Sequence, residues 1–98
     1  MIMKIAQEIL NQLGGNRFCA MTGAKNLAHG NNFLTFKIGK NEKKVTNVKI
    51  TLNALDLYDM EFLNVRGFNV KTVSEKNGVY ADQLQSVFTK STGLHTNL

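Results

Sequence analysis

A chain of 98 residues with 43% hydrophobic side chains and a formal charge of +5 is long enough for one core and too short for a deep cleft between two lobes. Its only cysteine, Cys19, excludes an internal disulfide and favours a reducing compartment. Lys4 and Glu8 break the apolar N-terminal run, which excludes a signal-peptide pattern, and no stretch approaches the roughly 20 apolar residues of a membrane span, so a cytoplasmic protein without membrane contact is expected.

The first element places Ile2, Ile5, Ala6, Ile9 and Leu13 at helical spacing, with Lys4, Gln7, Glu8, Asn11 and Gln12 on the other side. Gly14 and Gly15 stop this amphipathic helix, because glycine accepts a left-handed C-cap cheaply. The stretch MTGAKNL, residues 21–27, is predicted to be a turn. Thr22 and Gly23 close a short extended piece containing Phe18, Ala20 or Met21, and Lys25 is held out in solvent. A phosphate loop of the Walker type is excluded, since Lys25 is followed by Asn26 rather than Ser or Thr and the spacing from Gly15 to Gly23 is wrong. A dinucleotide fingerprint is excluded too, because LGGNRF follows a helix and lacks the third glycine.

Three alternating stretches follow. Leu34, Phe36 and Ile38 share one face, as do Val48, Ile50 and Leu52, and then Tyr58, Met60 and Phe62. Pairing Leu52 with Tyr58, Ile50 with Met60 and Val48 with Phe62 leaves Asn53 to Leu57 as a hairpin loop. A fourth, weaker strand, FNVKTV, is predicted to turn Val70 and Thr72 inward. A three-residue loop of Val65, Arg66 and Gly67 would pair Phe62 with Val70 and Met60 with Thr72. The outer row then reads Thr35, Lys49, Glu61, Lys71, with opposite charges across both central pairings.

The last element sets Tyr80, Leu84, Val87 and Phe88 on one helical stripe. Asp82 and Lys90 suit the dipole, Gly93 and Leu94 form a Schellman ending, and residues 95–98 a frayed tail. The expected architecture is one α+β domain over residues 1–98: a four-stranded antiparallel meander with an N-terminal and a C-terminal helix on one face.

Little in the chain points to catalysis. Cys19 lies in RFCAM, where burial as a small apolar residue is the ordinary outcome, and only tertiary packing could bring His29 to it. Asp59 and Glu61 fall on the predicted solvent face, and Asp56 reads as a turn residue. His29 and His95 lack the spacing and the cysteine neighbours of a zinc site, so neither metal nor cofactor is expected. Charge is unevenly spread. Between Asn16 and Ala54, seven basic residues stand against Glu42 alone, whereas four basic residues meet five acidic ones from Leu55 onward. Lys37, Lys40, Lys43, Lys44 and Lys49 form a basic hairpin suited to nucleic acid, or simply a turn whose lysines discourage edge pairing. The outward row lacks the aromatics of an RNA-stacking platform. The helix-strands-helix order also resembles the double-stranded RNA module, but Asp82 stands where that module would carry lysines.

LGGNRFCAMTGAKNL together with GVYADQLQSVFTKSTGL resembles a group of short proteins of phages, prophages and integrative elements that share LGGN, MTGAKN and VYAD stretches. The resemblance covers nearly the whole chain and brings no catalytic set, cofactor or site residues with it. It implies a small non-enzymatic protein that occupies a host or defence component, or a small signalling ligand, in the host cytoplasm. The expected interaction residues, read from the irregular glycine-containing segment, are Asn16, Arg17, Thr22, Gly23, Lys25 and Asn26. The alternative is a basic nucleic-acid-binding accessory protein using the hairpin lysines.

Overall fold

The computed structural model describes residues 4–96, so Ile2 of the predicted stripe and the end of the predicted tail lie outside it. The elements are α1 (Lys4–Leu13), α2 (Gly15–Thr22), β1 (Lys25–His29), β2 (Phe33–Lys37), β3 (Asn47–Leu52), β4 (Tyr58–Arg66), β5 (Asn69–Val79), a 3-10 turn (Ala81–Gln83) and α3 (Leu84–Thr92). All five strands form one antiparallel meander in the order β1-β2-β3-β4-β5. The buried strand residues Leu34, Phe36, Val48, Ile50, Tyr58, Met60, Phe62 and Val79 all belong to one sheet face. They join Ala6, Ile9 and Leu13 of α1, Phe18 of α2, and Leu84 and Phe88 of α3 in one core. The helices therefore cover that face and leave the other open. Among the described residues, no helix is long and apolar enough to cross a membrane.

The α+β class and the helical layer agree with the sequence. The β3–β4 register is the predicted one, with Val48 opposite Phe62, Ile50 opposite Met60 and Leu52 opposite Tyr58. Asn53 builds that turn, its Oδ1 accepting from the N–H of Leu55 at 2.8 Å and of Leu57 at 3.2 Å. Gly93 is the left-handed C-cap of α3, at φ 82, and Leu94 packs on the core.

Four expectations are corrected. Residues 15–22 are a helix rather than an extended piece; Gly14 at φ 126 and Gly15 at φ 62 let the chain break between α1 and α2 within two residues. A fifth strand, β1, escapes the sequence because every residue in it is exposed, so it has no alternation to show.

The third correction is the β4–β5 register. The turn is Gly67-Phe68, two residues long, with Gly67 at φ 58 and Arg66 opposite Asn69. Relative to the predicted pairing, β5 slides by three residues next to the turn, which exchanges its faces there, and by four from Phe62 to Met60, beyond the register shift between Phe62 and Leu63. Leu63 meets Thr72, Phe62 meets Ser74 and Glu61 meets Glu75. Lys49 stays opposite Glu61, but Lys71 does not, and Val70 is 64% exposed.

The fourth concerns the C-terminal segment. Tyr80 precedes α3 and is exposed, outside the stripe of Leu84 and Phe88. Thr96, placed in the expected frayed tail, is buried and donates to Gln85 Oε1 at 2.9 Å.

Burial, and secondarily the Glu8 carboxylate, push the Tyr58 phenol above its ordinary value of 10.0. The unfolded chain then gives up that proton first, so stability is full below about pH 10 and falls as pH rises through the higher native value. Denaturant midpoints measured between about pH 9 and 11 should show this loss, and Tyr58→Phe should remove its part of it.

Candidate functional site

The glycine-containing segment folds into a corner with a packing role. Thr22 Oγ1 donates to Phe18 O at 2.7 Å, and the Thr22 side chain is buried. Gly23 caps α2 in the left-handed region at φ 71, and Gly39 N donates to Thr22 O at 2.8 Å. A Cβ on Gly23 would stand 3.2 Å from Gly39 N, so the two backbones meet where a side chain would intrude. Asn26, at φ 55, sits where the β1–β2 register shifts between Lys25 and Ala28, a left-handed bulge position that asparagine tolerates. Asn16, Arg17 and Lys25 are exposed. Asn16 and Arg17 occupy the first turn of α2, whereas Lys25 lies beyond its C-cap and opens β1. The corner thus uses Thr22 and Gly23 for packing and presents its charged side chains at two separate places.

Cys19 is half-buried against the core, and His29 lies on the exposed edge strand β1. Asp59 has a structural partner set rather than a free surface: its Oδ1 accepts from Asn53 Nδ2 and from Gly78 N, both at 3.1 Å. Among the described residues, no three His, Cys, Asp or Glu side chains gather as a metal site would require.

The loop between β2 and β3, residues 38–46, is a fixed structure. Val45 plugs into the core at 2% exposure. Asn41 clamps the loop from within: its Nδ2 donates to Gly39 O at 2.9 Å and Val45 O at 2.7 Å, while its Oδ1 accepts from Val45 N at 3.0 Å. Thr46 fastens the far end to β4, donating through N to Leu63 O and accepting at Oγ1 from Val65 N, each at 2.8 Å. These bonds brace the loop from within and against β4, and leave Lys40, Lys43 and Lys44 exposed. Asn41→Ala removes three bonds from a half-buried site and should cost about 1 to 3 kcal/mol, read as a lower melting temperature. A change below about 0.5 kcal/mol would contradict the clamp.

Facing this loop is the end of the β4–β5 hairpin. Counting by twos from buried Phe62 puts Asn64 and Arg66 on the helix-side face. Their cross-strand partners Lys71 and Asn69 lie there as well. Asn64 is half-buried there, and Arg66, Asn69 and Lys71 are exposed. Asn64 Nδ2 donates to Lys44 O at 2.6 Å and holds the loop against the hairpin.

Between loop and hairpin lies a groove of about 600 Å³ whose charged lining is Lys43, Lys44, Arg66 and Lys71. A second groove of about 400 Å³ shares Lys44, Asn64 and Arg66 with it and adds Lys40. A third, of about 340 Å³, shares Lys43 and Val73 and adds Lys76 from β5 and Lys90 from α3. No carboxylate lines any of the three. Glu42, the acid in the loop, lies instead near the end of α3, with Oε1 2.9 Å from where a Cβ on Gly93 would stand.

Folding therefore divides the predicted nucleic-acid set. Lys40, Lys43 and Lys44 come together on the grooves. Lys37 and Lys49 lie on the open sheet face, where Lys37 is opposite Lys25 in β1 and Asn47 in β3, and Lys49 Nζ stands 4.8 Å from the Phe33 ring centre. Arg66, Lys71, Lys76 and Lys90 were missed. A two-residue reading of the Gly67-Phe68 turn would have brought Arg66 and Lys71 to the loop. Comparison of the chain with protein-family models, with curated proteins and with solved structures gives no match.

Proposed function

We propose that the protein is a non-enzymatic nucleic-acid-binding protein whose phosphate-contacting surface is the groove between the 38–46 loop and the β4–β5 hairpin. One observation carries the reading: cationic side chains from three parts of the chain line adjoining grooves that contain no carboxylate. A solvated turn would explain the loop lysines alone. It does not explain why Arg66, Lys71 and Lys76 arrive at the grooves from strands that also carry acids, or why Lys90 of α3 joins them. A rigid loop pre-positions these charges, so little ordering opposes binding. The resemblance to small proteins of phages and mobile elements suggests the host cytoplasm as the setting and an accessory role, acting by occupancy rather than turnover.

Titration of a labelled oligonucleotide against salt tests the reading. Each phosphate contact releases counterions, so the logarithm of the affinity should fall linearly with the logarithm of salt, by about 0.7 to 0.9 per contact. A flat dependence, or no binding near 50 mM salt, would remove the proposal. Arg17 and Lys25 serve as the contrast. If a protein captured from the natural host loses binding when these two become alanine, and the loop changes leave it untouched, then the α2–β1 corner is the working surface and the partner is a host protein.

A further inference from the structure

The hairpin that walls the groove of about 600 Å³ ends in an apolar side chain. Phe68 is the second residue of the Gly67-Phe68 turn, and its exposure of 106% means that nothing packs on it. Two-residue hairpin turns favour Gly, Asn and Asp for their backbone freedom, and a phenyl ring contributes nothing to that geometry. The ring stands on a firm base. Arg66 pairs with Asn69 and Val65 with Val70 immediately behind it, so its position is set by a ladder. Arg66, Lys71 and the exposed Val70 all line the groove behind it.

We propose that the groove takes a single strand of nucleic acid and that Phe68 stacks on one of its bases; this rests on the nucleic-acid reading above. Phosphates drawn to Lys43, Lys44 and Arg66 place a strand along the hairpin, and its bases then have a flat apolar surface at the tip. An unpaired base gains from such a surface, whereas a duplex base already has both faces covered by its neighbours. The ribbon is also badly placed to read a duplex. A two-stranded ribbon that does so enters a major groove about 12 Å wide. Here one side of the ribbon is occupied by the 38–46 loop, tied on through Asn64 and Lys44.

The sequence contains no tryptophan, so Phe68→Trp installs a lone fluorescent reporter at the tip. An oligo(dT) strand of about 12 nucleotides should quench the indole as it binds, while a duplex of equal length at equal occupancy should not. Phe68→Ala should weaken single-strand binding about 5- to 150-fold, with the salt slope and melting temperature unchanged. Unaltered single-strand affinity in Phe68→Ala, an unquenched indole at saturation, or preference for the duplex would each overturn this inference and leave the nucleic-acid reading standing. Absence of binding to either probe at low salt would overturn both.

Discussion

Phe18→Ala is expected to lower the unfolding free energy by about 3 to 5 kcal/mol, a large share of the roughly 5 to 15 kcal/mol available to a domain of this size. The side chain has 0% exposure and sits edge-on between two other rings, 5.5 Å from Phe36 and 5.0 Å from Phe88 between centroids. Phe36 comes from the sheet and Phe88 from α3, so Phe18 joins α2 to both layers. It is also the only large apolar residue of α2 that is fully buried. Truncation leaves a cavity at the junction, removes two edge-to-face contacts and releases the helix whose last residue, Thr22, accepts through its carbonyl from Gly39 N. Urea unfolding would read the loss, with Phe68→Ala as the matched control. The same chemical deletion at a fully exposed ring should stay within about 0.5 kcal/mol. Comparable effects at the two positions would mean that α2 does not dock as described.

The contrast between these two phenylalanines also shows what the sequence disclosed. Where one face of an element is buried, its period is written in the residues: Ala6, Ile9 and Leu13 of α1, and the alternation that set the β3–β4 register correctly. Where burial rests on a single anchor, no period exists. α2 has Phe18 and Thr22 alone, and β1 has no buried residue, so both were invisible as elements. β5 failed for another reason. Most of its residues are exposed and its ladder contains register shifts, so hydrophobicity could not choose between turn lengths. One wrong turn length put Arg66 in the turn and Lys71 on the outer face, and so missed that both line the groove beside the 38–46 loop.

The candidate site was half legible on the same grounds. Lys40, Lys43 and Lys44 stand in one run of sequence. The second half of the chain looks neutral when counted linearly, four basic residues against five acidic. Folding separates those charges. Glu61 and Glu75 lie opposite each other in the ladder and Asp59 is engaged by Asn53 and Gly78, while the cations of the same strands line the grooves. Net charge along a sequence cannot report a separation that only strand register creates.

Combined Lys43→Ala, Lys44→Ala and Arg66→Ala changes should reduce the salt slope of nucleic-acid binding by about 2 and weaken binding on the order of 50-fold near 0.15 M salt. The estimate takes a slope of about 0.7 for each of three contacts and multiplies it by the distance of 0.15 M from 1 M on a logarithmic scale. All three side chains are exposed, so folding should not suffer, and the melting temperature checks that directly. Lys37→Ala with Lys49→Ala supplies the discriminating control. These residues carry the same charge and lie close by in sequence, but on the open sheet face. If nucleic acid responded only to the overall charge of +5, removing any cations would weaken binding in proportion to their number. If the groove is the binding surface, the open-face pair should change affinity only a few-fold and leave the slope nearly intact, because charges beyond about 8 to 10 Å from the strand are screened at this ionic strength. Equal losses per charge from the two sets would show that the protein attracts nucleic acid without a groove, and the grouping of cations around the 38–46 loop would then have no functional meaning.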